Sequence, residues 1–434
     1  MNLVALLHAR SIENRPVRAG LIGAGKFGSM FLAQAPHIAG LEVTAIADLY
    51  PERAKAACLT VGWPEVLIEK TVFMDDGSAL AARNDVEVVI EATGNPAAGI
   101  GHALAAFRCG KHIVMVNVEA DVLAGAALAK RAKSAGVVYS MAYGDQPALV
   151  AEMADWARAS GFEVAAAGKG TKYLPVFHEV TPDNVWEHYG LTPEEARVAG
   201  MNPQMFNSFL DGTKSGIEMC AIANACNLNV PDDGLAFPPC GADDLAMVLR
   251  PRAVGGVLPG DGFVEVVSSL ERDGKEVSRD LRWGVYVVMK AQNDYAAACF
   301  KQYGLKTDAS GQYAAMYKPF HLIGLELSIS VLNAALRGEP TGSSRSFRGD
   351  AVTVAKRDLK VGEMLDGEGG YTVWGKASPA GLSLDNDCLP IGLAHGVRVT
   401  RAVAKGALVR KADVALDEGS EAMRIRAEAE ALVG

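Results

Sequence analysis

The segment Val17–Gly28, VRAGLIGAGKFG, constrains the fold more than any other part of the chain. An apolar run suited to a buried strand, Ala19–Ile22, leads directly into Gly23-Ala-Gly25-Lys26-Phe27-Gly28, and helix-forming sequence follows over Ser29–Ala35. Each glycine then has a task. Gly23 permits a tight strand-to-helix turn, Gly25 lets a pyrophosphate approach the backbone, and Gly28 lets the helix pack on the strand. Free N–H groups and the positive end of the helix dipole hold the phosphates. A second apolar run, Leu41–Ala47, ends in Asp48, at the distance where an acid that takes the adenosine ribose hydroxyls belongs. The spacing predicts a dinucleotide site, against the alternative of a flexible turn.

Residues 15 to about 150 alternate strand and helix patterns. Strands are expected at Ala19–Ile22, Val43–Ala47, Val86–Glu91, His112–Val116 and Val137–Ser140, with helices such as Pro51–Val61 and Ala97–Cys109 between them. Such alternation implies an α/β, doubly wound parallel sheet of the Rossmann type, with Ala92, Thr93 and Gly94 at a strand's carboxyl end beside the dinucleotide. From Gly161 the pattern changes. Phe162–Ala167 reads as a strand, Pro203–Asn227 as one long helix, and Gly262–Leu270 with Leu281–Ala291 as a hairpin around Asp273-Gly274. A helix over Phe320–Leu336 returns to the first domain, and Gly338–Ser344 reads as a linker. Residues 350–416 suggest a compact β module, and Glu418–Leu432 a surface helix. The expected domains are 1–150, completed by the returning helix near 313–340; an α/β substrate and dimerisation domain, 151–312; and a small β-rich module, 345–434.

Composition excludes several partners. Half the residues are hydrophobic and the net charge is −9, which suits a core-forming protein and disfavours nucleic acid. The seven cysteines are odd in number and scattered, with no CxxC pair, as in a reducing cytoplasm. The apolar run in MNLVALLHARSIENR is too short for a signal peptide and reads as a docking helix. No window reaches the roughly eighteen apolar residues of a membrane span. A cytoplasmic protein acting on a small molecule is expected. GxSxG, HExxH and GxxxxGK[ST] are absent from the sequence.

Several side chains are candidates for chemistry. Lys169 and Lys172 flank Gly170-Thr171 at the end of an apolar strand, where glycines let backbone close on a ligand and two ammonium groups suit a phosphate or carboxylate. Lys214 follows Asp211-Gly212-Thr213; burial there would lower a lysine's pKa toward neutrality, whereas an exposed one pairs with Asp211 at spacing three. Asn117 and Glu119 follow the fifth strand, beside the expected nicotinamide ring, and equally suit a helix cap. Asp145 and Glu152 offer oxygen ligands for Mg²⁺ or Mn²⁺, although Asp145 also suits a cap. His321 lies near Tyr317 and Lys318 at the junction of the two domains. His178 and His188 show no metal-ligand spacing. Asp48 favours NAD, while Arg53 and Lys55 are within reach of a 2′-phosphate.

The order of pieces resembles homoserine-dehydrogenase-like oxidoreductases with a C-terminal SAF-type β-clip domain. The resemblance lies in Gly23–Gly28, Glu91-Ala-Thr-Gly94, Val116-Asn-Val-Glu119, Gly168-Lys-Gly-Thr-Lys172 and Leu210-Asp-Gly-Thr-Lys214, then in Ala355–Leu359, Val361–Glu363, Leu389–Ile391 and Lys405-Gly406. Within that group the chain looks most like the 1-deoxy-D-xylulose-5-phosphate reductoisomerase-like enzymes. The resemblance implies NADPH, a divalent cation and a homodimer or higher homo-oligomer. It implies isomerisation and reduction to 2-C-methyl-D-erythritol 4-phosphate for isoprenoid synthesis, with Lys169, Lys172 and Lys214 on the phosphate and Asp211 with Lys214 handling protons; His321, from its own position, is the remaining catalytic candidate. Two departures stand out: Val118 replaces the lysine of the Asn-Lys motif, and no Asp-Ser-Glu metal tripeptide occurs. The alternative is an NAD(P) dehydrogenase acting on another small hydroxy or keto acid or sugar acid.

Overall fold

A computed structural model describes residues 2–433, which divide into two compact units. The first comprises the chain through Glu152, with His321–Arg345 and Gly419–Leu432. Its strands are β1 (Val17–Ile22), β2 (Leu41–Ala47), β3 (Val72–Met74), β4 (Val88–Glu91), β5 (His112–Met115) and β6 (Tyr139–Met141). They form one parallel sheet in the order β3-β2-β1-β4-β5-β6, the dinucleotide-binding topology that the glycine loop anticipates. β1 and β4 are nearly continuous apolar runs because helices cover both faces of such a sheet. β3 is too short to show a period and is not apparent in the sequence.

The helix Leu3–Ile12 buries Leu3 and Leu7 and lies on the helix Ser328–Arg337, which in turn covers the sheet. The expected helix from Phe320 begins only at Ser328. Gly324, at φ 77°, sits against Phe27 and Met30 of the Lys26–Gln34 helix, so the chain turns before it can wind. Residues 313–318, assigned to the returning segment, are instead a strand of the other unit. The Gly338–Ser344 stretch is not a loose linker: Thr341 bonds Ser140, and Ser344 donates to buried Asp121, whose other oxygen takes the Tyr139 hydroxyl. The C-terminal helix, Glu421–Glu430, was expected on the surface. It lies on the helices Pro96–Arg108 and Val118–Ser134, with Ile425 and Ala429 buried and Arg426 only 1% exposed.

The second unit comprises Met153–Phe320, Ser346–Glu418 and Val433. β7 (Glu163–Thr171), β8 (Phe263–Ser268), β9 (Val285–Lys290) and β10 (Tyr313–Lys318) form a mixed sheet in the order β10-β9-β7-β8. The expected hairpin of β8 and β9 is therefore absent, because β7 separates them. The Asp273-Gly274 turn closes only a local Leu270–Glu276 bridge. β11 (Gly349–Ala355) pairs with β13 (Val373–Pro379), and β12 (Met364–Asp366), β14 (His395–Val399) and β15 (Val414–Ala415) make a small antiparallel sheet. The predicted helix Pro203–Asn227 is two helices, Pro203–Leu210 and Thr213–Cys226, broken at Gly212 with φ 91°. In the second of them every residue except Lys214 is buried, because the helix is held between the β7–β8 sheet and the β11–β13 pair. No helix among the described residues is long and apolar enough to cross a membrane.

Candidate functional site

At the head of the first sheet, β1 ends in a turn that only glycine makes without strain: Gly23 has φ 95°, and its N–H donates to the Ala47 carbonyl at 2.8 Å. Gly25 caps the helix Lys26–Gln34, and a Cβ placed on it would meet nothing within 4 Å. The space beside it is open, as a phosphate's approach requires. A Cβ on Gly28 would collide with the Gly23 carbonyl, so the third glycine serves the helix–strand contact. Lys26 is exposed and Phe27 half-buried beside them. Asp48, 8% exposed, closes β2 and is fixed by the N–H groups of Ala24 at 3.0 Å and Tyr50 at 3.1 Å. Arg53 lies 3.7 Å from its carboxylate. These residues fit an adenine dinucleotide.

At the end of β4, Ala92 is half-buried while Thr93 and Gly94 are exposed. Glu91 beneath them is fully buried, and its Oε1 takes the Thr93 hydroxyl at 2.5 Å and stands 3.2 Å from His102 Nδ1. Sequence reasoning quoted Glu91 in a motif without giving it a role. Its clue was an acid ending an apolar strand. Asn117 is buried and caps the helix Val118–Ser134, accepting from Ala120 N at 3.1 Å and donating to Asn95 O at 2.8 Å. It ties two strand ends together, and Glu119 sits half-buried in that helix's first turn.

The two expected cation ligands take part in hydrogen bonds of their own. Glu152 accepts the Tyr143 hydroxyl, and Asp145 accepts the Gln146 N–H at 2.8 Å. Among the described residues no group of three or more His, Cys, Asp or Glu is placed to hold a metal ion. His321 stands 3.2 Å from the Gln146 amide nitrogen.

In the second unit Lys169 is 6% exposed and ion-paired with Glu218, itself 2% exposed, on the buried helix. Gly168 and Gly170 beside it do not make room for a ligand. Added Cβ atoms there would strike the backbone carbonyls of Glu265 and Leu281, so these glycines serve strand packing. Lys172 donates to the His188 carbonyl at 2.5 Å, and burial, reinforced by Arg282, draws its pKa down. Asp211 is fully buried and pairs with Lys356 at 2.7 Å, a residue far along the chain that no local pattern connects to it. Lys356 also donates to the carbonyls of Val180 and Gly370, so all three of its protons are used. Burial raises the Asp211 carboxyl, and Lys356 opposes the rise.

His178, given no role by its spacing, is tightly held. Its Nδ1 donates to the Asp211 carbonyl at 2.7 Å, its Nε2 stands 3.0 Å from the Tyr173 hydroxyl, and its ring stacks on Trp374 at 4.0 Å. A carbonyl can only accept, so the imidazole carries its proton on Nδ1. Burial lowers its pKa and keeps it neutral.

Two family models match the chain. Residues 17–143 match the oxidoreductase family with an NAD-binding Rossmann fold (Gfo/Idh/MocA), and residues 144–327 match the catalytic domain of oxidoreductase DRL. No curated protein matches. Among solved structures, myo-inositol dehydrogenase from Lactobacillus casei, in complex with NAD(H) and myo-inositol, is 18% identical over 39% of this chain and 50% of its own, at a TM-score of 0.29. A 3-ketoreductase from Actinomadura kijaniata, in complex with TDP-benzene and NADP, is 21% identical over 37% and 50%, at 0.27. A probable dehydrogenase from Thermotoga maritima is 13% identical over 75% and 90%, at 0.39. The chain spans half or less of the length of the first structures it matches. Both matched models are thus of oxidoreductases, the first of them with an NAD-binding Rossmann fold.

The matches correct the homoserine-dehydrogenase-like resemblance. The nucleotide segment is matched by the Gfo/Idh/MocA model and the second segment by a catalytic domain described only as that of an oxidoreductase. The reductoisomerase activity, the isoprenoid role and the SAF assignment rested on that resemblance and fall with it. The alternative, a dehydrogenase of another small hydroxy or keto acid, stands closer to these families.

Proposed function

We propose that this chain exchanges a hydride between NAD(H) and a small hydroxy or keto acid of the sugar-acid kind. The glycine loop carries the reading: a left-handed Gly23, an open Gly25 and a closely packed Gly28, at the head of a sheet in dinucleotide-binding order. The nicotinamide supplies or accepts the hydride when bound. The chain's own residues do the rest. The amides around Gly25 hold the pyrophosphate, and Asp48 holds the ribose hydroxyls. Glu91 fixes the Thr93 hydroxyl at the strand end facing the dinucleotide.

The expected preference for NADPH came from the reductoisomerase-like resemblance. Without it Asp48 decides, because a buried carboxylate repels a 2′-phosphate, and exposed Arg53 offsets this only in part. Lys169 holds the proton that the alcohol gives up or the ketone takes, and Glu218 keeps its ammonium in place. Lys172 holds the acid group of the substrate.

Fluorescence titration with NADH and NADPH, followed by a screen of hydroxy and sugar acids for nucleotide oxidation or reduction, tests the proposal. NADH should bind more tightly, and turnover should vanish in Lys169→Met. Failure of well-folded protein to bind either nucleotide refutes it.

A further inference from the structure

The second unit contains a cavity of about 250 Å³ to which the hydride-transfer reading gives no task. One wall comes from the segment matched by the catalytic-domain model: His178, Asp233 and Phe237. The facing wall is Trp374 and Lys376 of β13, closed by Leu408. The two walls are rigidly joined, since Gly375 donates to the Thr213 hydroxyl at 2.8 Å and Gly216 lies directly beneath the Gly375 carbonyl. The aromatic groups form a layered stack in which Trp374 lies on His178 at 4.0 Å, while Phe237 lies on Tyr173 at 4.0 Å.

The charges are the telling feature. Lys376 is half-buried, its methylenes against Gly234, and it makes no hydrogen bond or ion pair among the described residues. Asp233, on the rim of the same cavity, makes none either. The two buried lysines of this unit are closely paired, Lys169 with Glu218 and Lys356 with Asp211. A half-buried ammonium loses part of its hydration, and an unfilled pairing beside an aromatic wall is what an anionic ligand would complete. The flat indole suits the C–H face of a sugar-like skeleton, and the Asp233 carboxylate can accept from hydroxyl groups.

We propose that this cavity binds a small hydroxylated anion, a sugar acid or sugar phosphate, with its acid group on Lys376 and its carbon skeleton against Trp374. The proposal gives the C-terminal β segment a part in recognition and goes beyond the hydride-transfer reading. Its cavity lies below the roughly 300–1,000 Å³ of drug-sized pockets, which limits the ligand to a single sugar-like unit.

Isothermal titration of the full chain with D-gluconate, D-glucose 6-phosphate and uncharged D-glucose tests it. At least one of the two anions should bind, and glucose much more weakly. Lys376→Ala should weaken the anion about tenfold, the scale of one charge-assisted hydrogen bond. Leu408→Trp, which fills the cavity from its exposed edge, should abolish binding. Both variants should keep the parent's cooperative melt of the second unit, which shows that the unit holding the cavity is folded. Binding of neither anion, or binding unchanged in both variants, overturns the proposal. Adding NAD(H) then tells the two sources of such an anion apart: a bound anion that is turned over is the substrate, and one that is not is an effector. Turnover of a sugar acid that Leu408→Trp leaves untouched would sink this site while leaving the proposed activity standing.

Discussion

Replacing Gly23 and Gly25, one at a time, by alanine should produce opposite failures. At Gly23 the backbone stands at φ 95°, where an L-residue costs ~1–2 kcal/mol. The new Cβ would sit 2.7 Å from the Ala92 carbonyl oxygen and 2.8 Å from its carbon, inside the 3.0 Å that real Cβ atoms keep. Since β1 and β4 are adjacent in the sheet, relief requires moving a buried strand end. Overpacking of this kind costs ~1–3 kcal/mol, so Gly23→Ala should lose about 2–5 kcal/mol of stability in all.

Gly25 has φ −70°, which any residue adopts, and an added methyl meets nothing within 4 Å. Gly25→Ala should therefore unfold at nearly the parent's denaturant concentration, within the ~0.5 kcal/mol or so that an alanine cap costs relative to glycine. The methyl would, however, fill the space through which the pyrophosphate approaches. Losing two amide–phosphate hydrogen bonds removes ~3 kcal/mol or more, which weakens NADH at least about 100-fold. Chemical denaturation without nucleotide, paired with fluorescence titration of NADH, separates the two effects. If Gly25→Ala binds NADH as the parent does, the loop is not the pyrophosphate site.

Asp48→Asn should cost NADH about tenfold in affinity while narrowing its advantage over NADPH, read by parallel titrations, because the repelling charge is gone. Lys169→Met leaves the Glu218 carboxylate buried without its partner and should destabilise the chain by about 3–5 kcal/mol in urea; the double variant with Glu218→Met should recover most of that stability but no turnover. Burial pushes the Glu265 carboxyl from 4.5 up to about 7, although the N–H groups of Ala236, Phe237 and Val266 all donate to it. The native state therefore keeps this proton after the unfolded chain has lost it. Its stabilising effect is fully present below pH 4.5 and drains away as pH rises toward 7, by up to about 3 kcal/mol. Asp121, raised to about 6, adds a parallel fall, so stability measured across this range should decline less steeply in Glu265→Gln.

What the sequence made legible was local or strictly periodic. The glycine loop, the parallel strands and Asp48 announce themselves because a short stretch of chain contains both the geometry and its cause. The Asp273-Gly274 turn was equally visible, yet it misled, because turn chemistry decides how a chain reverses and not which strands become neighbours. β7, nearly a hundred residues upstream of β8, takes the place between β8 and β9 that a hairpin would have closed. The glycines beside Lys169 misled in the same way. Their absent side chains serve Glu265 and Leu281 carbonyls on neighbouring elements, and the sequence around Lys169 contains no trace of either.

The polar centre of the second unit shows the limit most sharply. Asp211 reads as a partner for Lys214 because residues three apart on a helix face one another, but Gly212 ends that helix and turns the carboxylate toward Lys356. His178 had no ligand spacing because its partners are a main-chain carbonyl and an indole from β13, neither of which leaves a motif. Residues that act through pairs so distant in the chain are recognisable only once the helix Thr213–Cys226 has been placed between the two β layers. That burial is itself readable: a helix of small and apolar residues on every face has to be covered on both sides. The C-terminal β segment supplies the second cover. Removing residues 346–418 should therefore unfold the second unit, leaving no shortened enzyme, and any truncated chain that kept a cooperative melt of that unit would show the helix to be self-sufficient.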